Sequence, residues 1–175
     1  MTMAQFGLAA EDVSILESPK AYYRQLKQLI TESSSRIFIS ALYLQDDEVG
    51  REILHLLYQQ KQQHPQMDVS VFIDDHRAQR GLIGEKESLG NRELYQEVAK
   101  QYQEPINIFG VRVKRKELLG VLHLKGMIFD DVVLYTGASI NNVYLHHGDK
   151  YRLDRYYVIK HPGCLLYTSP SPRDS

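Results

Sequence analysis

The side chains best suited to phosphate chemistry lie in the segment HLKGMIFD, which contains His123, Lys125 and Asp130. Apolar and polar residues alternate around it, which predicts a half-buried β-strand. Side chains two positions apart on a strand point to the same face, so we expect His123 and Lys125 to project together. An imidazole can attack a phosphorus atom while an ammonium group neutralises the phosphate oxygens. The spacing therefore predicts a site for phosphoryl transfer.

Polar residues further along the chain could complete such a site. Ser139 and Asn141 offer a hydroxyl and an amide where the chain turns back toward the motif. Asp154 lies in what we expect to be the next strand, and its carboxylate could hold the second ring nitrogen of His123 and fix the tautomer. On residue types alone the motif specifies only three positions, so a chance match is the alternative reading.

These residues resemble the signature of the phospholipase D superfamily, which is His-x-Lys-x4-Asp followed by glycine, Ser-x-Asn and a later acid. The match to HLKGMIFD is complete, whereas Ala138 separates the glycine and serine that are usually adjacent in the family. Longer segments are similar to bacterial phosphatidylserine synthases of the phospholipase D type. They are ISALYLQDDEVGREIL, VSVFIDDHRAQRGLIG and LGVLHLKGMIFDDVVLYTGASINNVYLHHGDKYRLDRYYVI, and they cover most of positions 36 to 160.

The resemblance implies transfer of a phosphatidyl group from CDP-diacylglycerol to L-serine, with release of CMP and a phosphohistidine intermediate at His123. It implies catalytic roles for His123, Lys125, Asp130 and Asp154, with the last of these orienting the histidine. Ser139 and Asn141 would bind the phosphate oxygens together with Lys125. The lysine supplies positive charge, so we expect no metal and no other cofactor.

Arg77 and Arg80 lie in a glycine-bearing loop after a predicted strand, where α/β proteins often bind ligands. Two arginines could bind a diphosphate or a cytidine-linked phosphate. Residue types alone favour an ordinary solvated loop, whereas the family resemblance favours substrate binding.

The chemistry also needs a second histidine to protonate the leaving CMP and later to deprotonate serine. Superfamily members take it from a second motif in the same chain or from another subunit, and this chain has one copy. We therefore expect the N-terminal half of a synthase that is inactive alone. The alternatives are a single-motif phosphodiesterase or nuclease acting as a homodimer, and a non-enzymatic assembly or lipid-surface module.

Composition limits the partners and the compartment. The chain has 175 residues, 43% of them hydrophobic, and a formal net charge of −1, which argues against a nucleic-acid substrate. No apolar stretch approaches the roughly 20 residues that cross a bilayer, and the N-terminus lacks the features of a secretory signal. One cysteine, Cys164, fits a reducing cytoplasm. We expect a cytoplasmic protein in peripheral contact with anionic lipid at the inner face of the membrane.

Hydrophobic periodicity predicts helices at 20–32, 48–63 and 91–103, and strands at 36–44, 67–74, 106–113 and within the hairpin at 120–136. Alternating strands and helices indicate an α/β fold with a mostly parallel central sheet and antiparallel additions, and the resemblance implies the α/β/α sandwich of phospholipase D. We expect one domain over 1–163. The Ser/Pro-containing tail at 164–175 is expected to be non-native or disordered. Adjacent His146 and His147 favour a polar loop over a metal site.

Overall fold

The computed structural model describes residues 7–75, 91–111 and 125–162. A short 3-10 helix, Ala10–Asp12, leads into the first strand, and three α-helices follow in these ranges: α1 (Pro19–Glu32), α2 (Glu48–Gln63) and α3 (Asn91–Ala99). Seven strands lie in the described ranges: β1 (Val13–Leu16), β2 (Arg36–Ser40), β3 (Asp68–Asp74), β4 (Asn107–Val111), β5 (Gly126–Phe129), β6 (Val132–Thr136) and β7 (Tyr156–Lys160). They form one sheet in the order β1-β7-β6-β5-β2-β3-β4.

The sheet is mixed and mostly antiparallel, so the expected mostly parallel sheet is wrong. Only β2–β3 and β3–β4 are parallel pairs, whereas β1–β7, β7–β6, β6–β5 and β5–β2 are antiparallel. The physical reason lies in the connections between paired strands. The β2–β3 and β3–β4 connections contain α2 and α3, which return the chain to the same end of the sheet, whereas a two-residue turn joins β5 to β6 and makes that pair antiparallel.

The helices begin where polar caps precede apolar periodicity. Ser18 caps α1 by accepting a hydrogen bond from Ala21 N at 3.1 Å, with Pro19 in the first helical position. Asp47 caps α2 in the same way through Gly50 N at 2.8 Å. Helix α3 ends at Ala99, four residues before the predicted end. The helices pack side by side, α1 on α2 and α2 on α3, and form one layer on the sheet.

The core lies between this helical layer and the sheet. Its largest fully buried side chains include Tyr22 and Leu26 from α1 and Ile37 and Phe129 from the central strands. The alternation of buried and part-exposed residues along β2 and β5 gives each strand one core-facing side. Burial of this apolar face holds the ends of β2, β5 and β6 in fixed register, which determines where the polar site residues emerge.

Candidate active site

Lys125 lies at the edge of the sheet where β2 and β6 end. It immediately precedes Gly126, the first residue of β5, and Gly126 pairs with Ser40 at the end of β2 and with Tyr135 near the end of β6. The segments that leave β2 and β6 therefore begin beside Lys125. Its side chain is buried, with 7% exposure. An ammonium group in such a place is well suited to hold a phosphate anion.

The turn after β6 brings small and polar residues to the same edge. Thr136 Oγ1 accepts a hydrogen bond from Ala138 N at 3.0 Å, which closes the turn. Ala138 and Ser139 are both buried. Within the described ranges the Ser139 hydroxyl has no hydrogen-bond partner, so it remains able to donate to a ligand.

Asn141 connects this turn by a hydrogen bond to the segment that follows β2. Its amide Nδ2 donates to Gln45 Oε1 at 3.3 Å, and its Oδ1 accepts from Tyr144 N at 3.0 Å. Gln45 N also donates to the carbonyl oxygen of Ile140 at 3.4 Å. The Asn141 amide retains one N–H that a ligand could accept. The structure shows a structural role for this residue, and its phosphate-binding role stays a prediction.

Asp154 also reaches this edge, from the loop before β7 rather than from the strand that the sequence predicts. Its Oδ1 accepts hydrogen bonds from Gly137 N at 3.3 Å and from Arg155 N at 2.7 Å. A Cβ atom on residue 137 would come within 2.8 Å of Asp154 Oδ2. A larger residue at 137 would therefore displace this carboxylate, a constraint that the sequence could not reveal.

Asp130 lies at the other end of β5, away from Lys125. Its carboxylate accepts hydrogen bonds from the backbone N–H groups of Ser34, Ser35 and Arg36 at 2.9, 2.9 and 2.8 Å. The five-residue separation along an extended strand corresponds to about 16 Å. The structure thus separates Asp130 from the edge where it brings together Lys125, Ser139, Asn141 and Asp154. The role of Asp130 here is to hold the start of β2 against the β5–β6 turn.

Three of the predicted site residues, His123, Arg77 and Arg80, lie outside the described residues. The predicted tail at 164–175 also lies outside them. His147 is described, and its Nε2 contacts Glu48 Oε2 at 2.6 Å. In the described ranges no three His, Cys, Asp or Glu side chains cluster as metal ligands, and no helix is both long and apolar enough to span a membrane.

The sequence analysis missed a network that joins the β6–β7 connection to α2. Asp47 Oδ2 accepts a hydrogen bond from Asn142 N at 2.8 Å, and Asn142 Oδ1 accepts one from Val49 N at 3.0 Å. Burial raises the pKa of the Asp47 carboxyl above its ordinary value, and its two backbone N–H partners oppose that rise. The only sequence signal was the capping position of Asp47, which gave no indication of Asn142. The network fixes the 137–141 turn relative to the helix.

The chain is similar to two bacterial enzymes over most of its length. The chain is 49% identical over 158 residues to a CDP-diacylglycerol–serine O-phosphatidyltransferase of Haemophilus influenzae, and 45% identical over 159 residues to the corresponding enzyme of Escherichia coli. The alignments cover 89% and 90% of this chain and 35% of each relative. Close homologues of this chain are bacterial phosphatidylserine synthases. The chain spans about a third of their length.

Solved structures give the same result. The crystal structure of phosphatidylserine synthase from Haemophilus influenzae superimposes with a TM-score of 0.82 at 47% identity, over 89% of this chain and 34% of that one. Nuc of Salmonella typhimurium, a phospholipase D family member, superimposes with a TM-score of 0.61 at 15% identity. The superposition covers 89% of this chain and 88% of Nuc, and it supports the fold alone. The expected phospholipase D-like fold is confirmed. No family model matches the chain.

A more distant relative has a different acceptor. A CDP-diacylglycerol–glycerol-3-phosphate 3-phosphatidyltransferase of Saccharomyces cerevisiae is 32% identical over 165 residues, which cover 89% of this chain and 30% of that enzyme. Its name contains the same CDP-diacylglycerol donor as the serine enzymes, although the acceptors differ.

Proposed function

We propose that this chain provides the nucleophile and phosphate-binding part of an enzyme that transfers a phosphatidyl group from CDP-diacylglycerol to L-serine. The observation that carries the proposal is the buried ammonium of Lys125 at the edge where the Ser139–Asn141 turn and Asp154 meet. The identity of nearly half to serine phosphatidyltransferases supports the same substrates. Their names specify the donor and the acceptor.

The first step forms a bond between an imidazole nitrogen of His123 and the phosphorus of the phosphatidyl group. The bond from that phosphorus to the CMP oxygen breaks, and CMP leaves. His123 is two residues before Lys125, and chain geometry keeps the two Cα atoms within about 7 Å. Lys125 and the Ser139 hydroxyl stabilise the charge that accumulates on the non-bridging oxygens, and one N–H of Asn141 assists them.

The second step transfers the phosphatidyl group from His123 to the serine hydroxyl. A second histidine protonates the departing CMP in the first step and removes the serine proton in this one. In this proposal the second histidine comes from a second copy of the chain or from the part of the synthase that this chain does not cover. Asp154 holds the His123 ring in the productive tautomer, which its position beside Gly137 at the site edge supports.

The lipid substrate implies contact with a membrane and with further phosphate-binding residues. Diacylglycerol chains stay in the lipid phase, so the protein works in peripheral contact with a membrane surface on its cytoplasmic side. Arg77 and Arg80 assist in binding the diphosphate of the donor. The formal net charge of −1 supports a lipid rather than a nucleic-acid substrate.

The test is CMP release from CDP-diacylglycerol in mixed detergent micelles, with and without serine. With the rest of the synthase supplied to provide the second histidine, we expect release by the wild-type chain and by His64→Ala, an exposed histidine at the end of α2, and none by His123→Ala. Serine should shift the product from phosphatidic acid to phosphatidylserine. CMP release that survives His123→Ala, or product that never contains serine, would contradict the proposal.

A further inference from the structure

A cavity of about 450 Å³ lies between α3 and the β3–β4 edge of the sheet, apart from the residues assigned above. Ile73, Ile106 and Ile108 form apolar parts of its wall. Asp75, Arg92 and Gln96 form polar parts. Arg92 and Gln96 are one helical turn apart on α3 and so share a face. A slot with apolar walls and a few convergent polar groups is the usual form of a small-molecule site.

The cavity reaches the end of β3 and β4 that lies toward Lys125, because Asp75 and Gly110 line it. Gly126 pairs with Ser40, and Ser40 pairs with Phe72 in β3, three residues before Asp75. Two strand spacings and a two-residue offset place the Cα atoms of Lys125 and Asp75 about 12 Å apart. Ribose and two phosphates can bridge such a span, so a nucleoside diphosphate could place its distal phosphate at Lys125 and its base in the cavity.

The lining groups favour one pyrimidine over the other. Cytosine presents an exocyclic amino group, which donates to a carboxylate, and a carbonyl, which accepts from a guanidinium or an amide. Uracil presents a carbonyl in place of the amino group and would set an acceptor against Asp75. A carboxylate has about four acceptor sites, so Asp75 can receive this bond in addition to its contacts within the protein.

We propose that this cavity binds the cytosine base of the CDP-diacylglycerol donor, with Asp75 accepting from the amino group. The inference rests on the proposed function for the identity of the donor. It also accounts for a pattern among the relatives. The serine and glycerol-3-phosphate transferases align over the same share of this chain and are named for one donor and two acceptors. A segment common to both classes is the expected place for donor recognition.

The test is calorimetric titration of the chain with CMP and with UMP. We expect CMP to bind about tenfold more tightly, since one good base-edge contact discriminates by about that factor. Asp75→Asn replaces an acceptor by a group that can donate to uracil, so the preference should disappear or reverse. Gly110→Ala is a second variant, because its Cβ atom would lie 2.9 Å from Asp75 Oδ1 and displace the carboxylate. It should weaken CMP binding about tenfold.

Glu93→Gln is the matched control, because Glu93 is an exposed acid on α3 that does not line the cavity. It should leave both affinities unchanged, and thermal melting establishes that each variant is folded. Equal affinity for CMP and UMP, or an unchanged ratio in folded Asp75→Asn, would overturn the inference. Lys125→Met separates the two proposals. It should slow CMP release from CDP-diacylglycerol about 10²- to 10³-fold while leaving the ratio of CMP to UMP affinity unchanged.

Discussion

Asp130 provides a sharp test of which motif residues do chemistry and which hold the fold. Its carboxylate accepts three backbone hydrogen bonds from 34–36 at 2.8–2.9 Å. Because this region is partly exposed, we assign about 1 kcal/mol to each bond, near the low end for charged acceptors. Its φ of 50° adds about 1 kcal/mol when a residue without a short polar side chain replaces it. Asp130→Ala should therefore lower the free energy of unfolding by about 4 kcal/mol.

Asp130→Asn retains one acceptor oxygen and tolerates the positive φ, so it should cost about 1–2 kcal/mol. Urea unfolding measures both losses, and Asp131→Asn is the matched control because its carboxylate makes no hydrogen bond within the described ranges. The rate of CMP release per folded molecule should stay within about twofold of wild type in Asp130→Asn, since the residue lies about 16 Å from Lys125. A fully stable Asp130→Asn that loses CMP release would refute this reasoning.

Four further substitutions test the packing and the capping. Tyr22→Phe should leave the free energy of unfolding unchanged or raise it by about 1 kcal/mol, because the buried Tyr22 hydroxyl has no hydrogen-bond partner in the described ranges. Tyr95→Phe should lower the free energy of unfolding by about 1–3 kcal/mol, because Tyr95 Oη donates a hydrogen bond to Leu44 O at 2.7 Å. Urea titrations of the two variants should give these different results. Gly50→Ala should prevent stable folding, as judged by circular dichroism, because its Cβ atom would meet the backbone of Gln45. The Asp47 carboxyl has a pKa raised above its usual 3.8 by burial, so its contribution to stability is complete below 3.8 and is lost as pH rises through the higher folded value. The stability of Asp47→Asn relative to wild type should therefore increase as pH rises above 3.8, and a difference that decreased over that interval would contradict the assignment.

The local elements were predictable from the sequence because each one carries its own signals. Helix α2 shows an aspartate cap followed by apolar residues at helical spacing, and its observed bounds, Glu48–Gln63, agree with the prediction. The turn at Asp130 and Asp131 joins β5 to β6 as the hairpin pattern indicates. Strand β1 was missed, since its four residues include two exposed ones and pair only with β7. Its position depends on a partner strand at least 140 residues away in the sequence.

The site was predictable in residue type but not in arrangement. The sequence identified Ser139, Asn141 and Asp154 as candidates, and the structure brings all three to the edge where Lys125 lies. It could not show that the Asp130 carboxylate binds the backbone of 34–36, because motif spacing gives no information on which backbone groups a carboxylate contacts. Sheet direction was wrong for a related reason. Alternating helices and strands predict parallel pairing locally, while the pairing of β5 with β2 is decided by tertiary packing.

The central claim is that the buried Lys125 ammonium stabilises the phosphate during transfer, and the rate of CMP release from CDP-diacylglycerol by Lys125→Met tests it most directly. Loss of one such electrostatic contact should slow the reaction about 10²- to 10³-fold. The exposed Lys150→Met should remain at the wild-type rate. A folded Lys125→Met that releases CMP within about threefold of the wild-type rate would contradict the account.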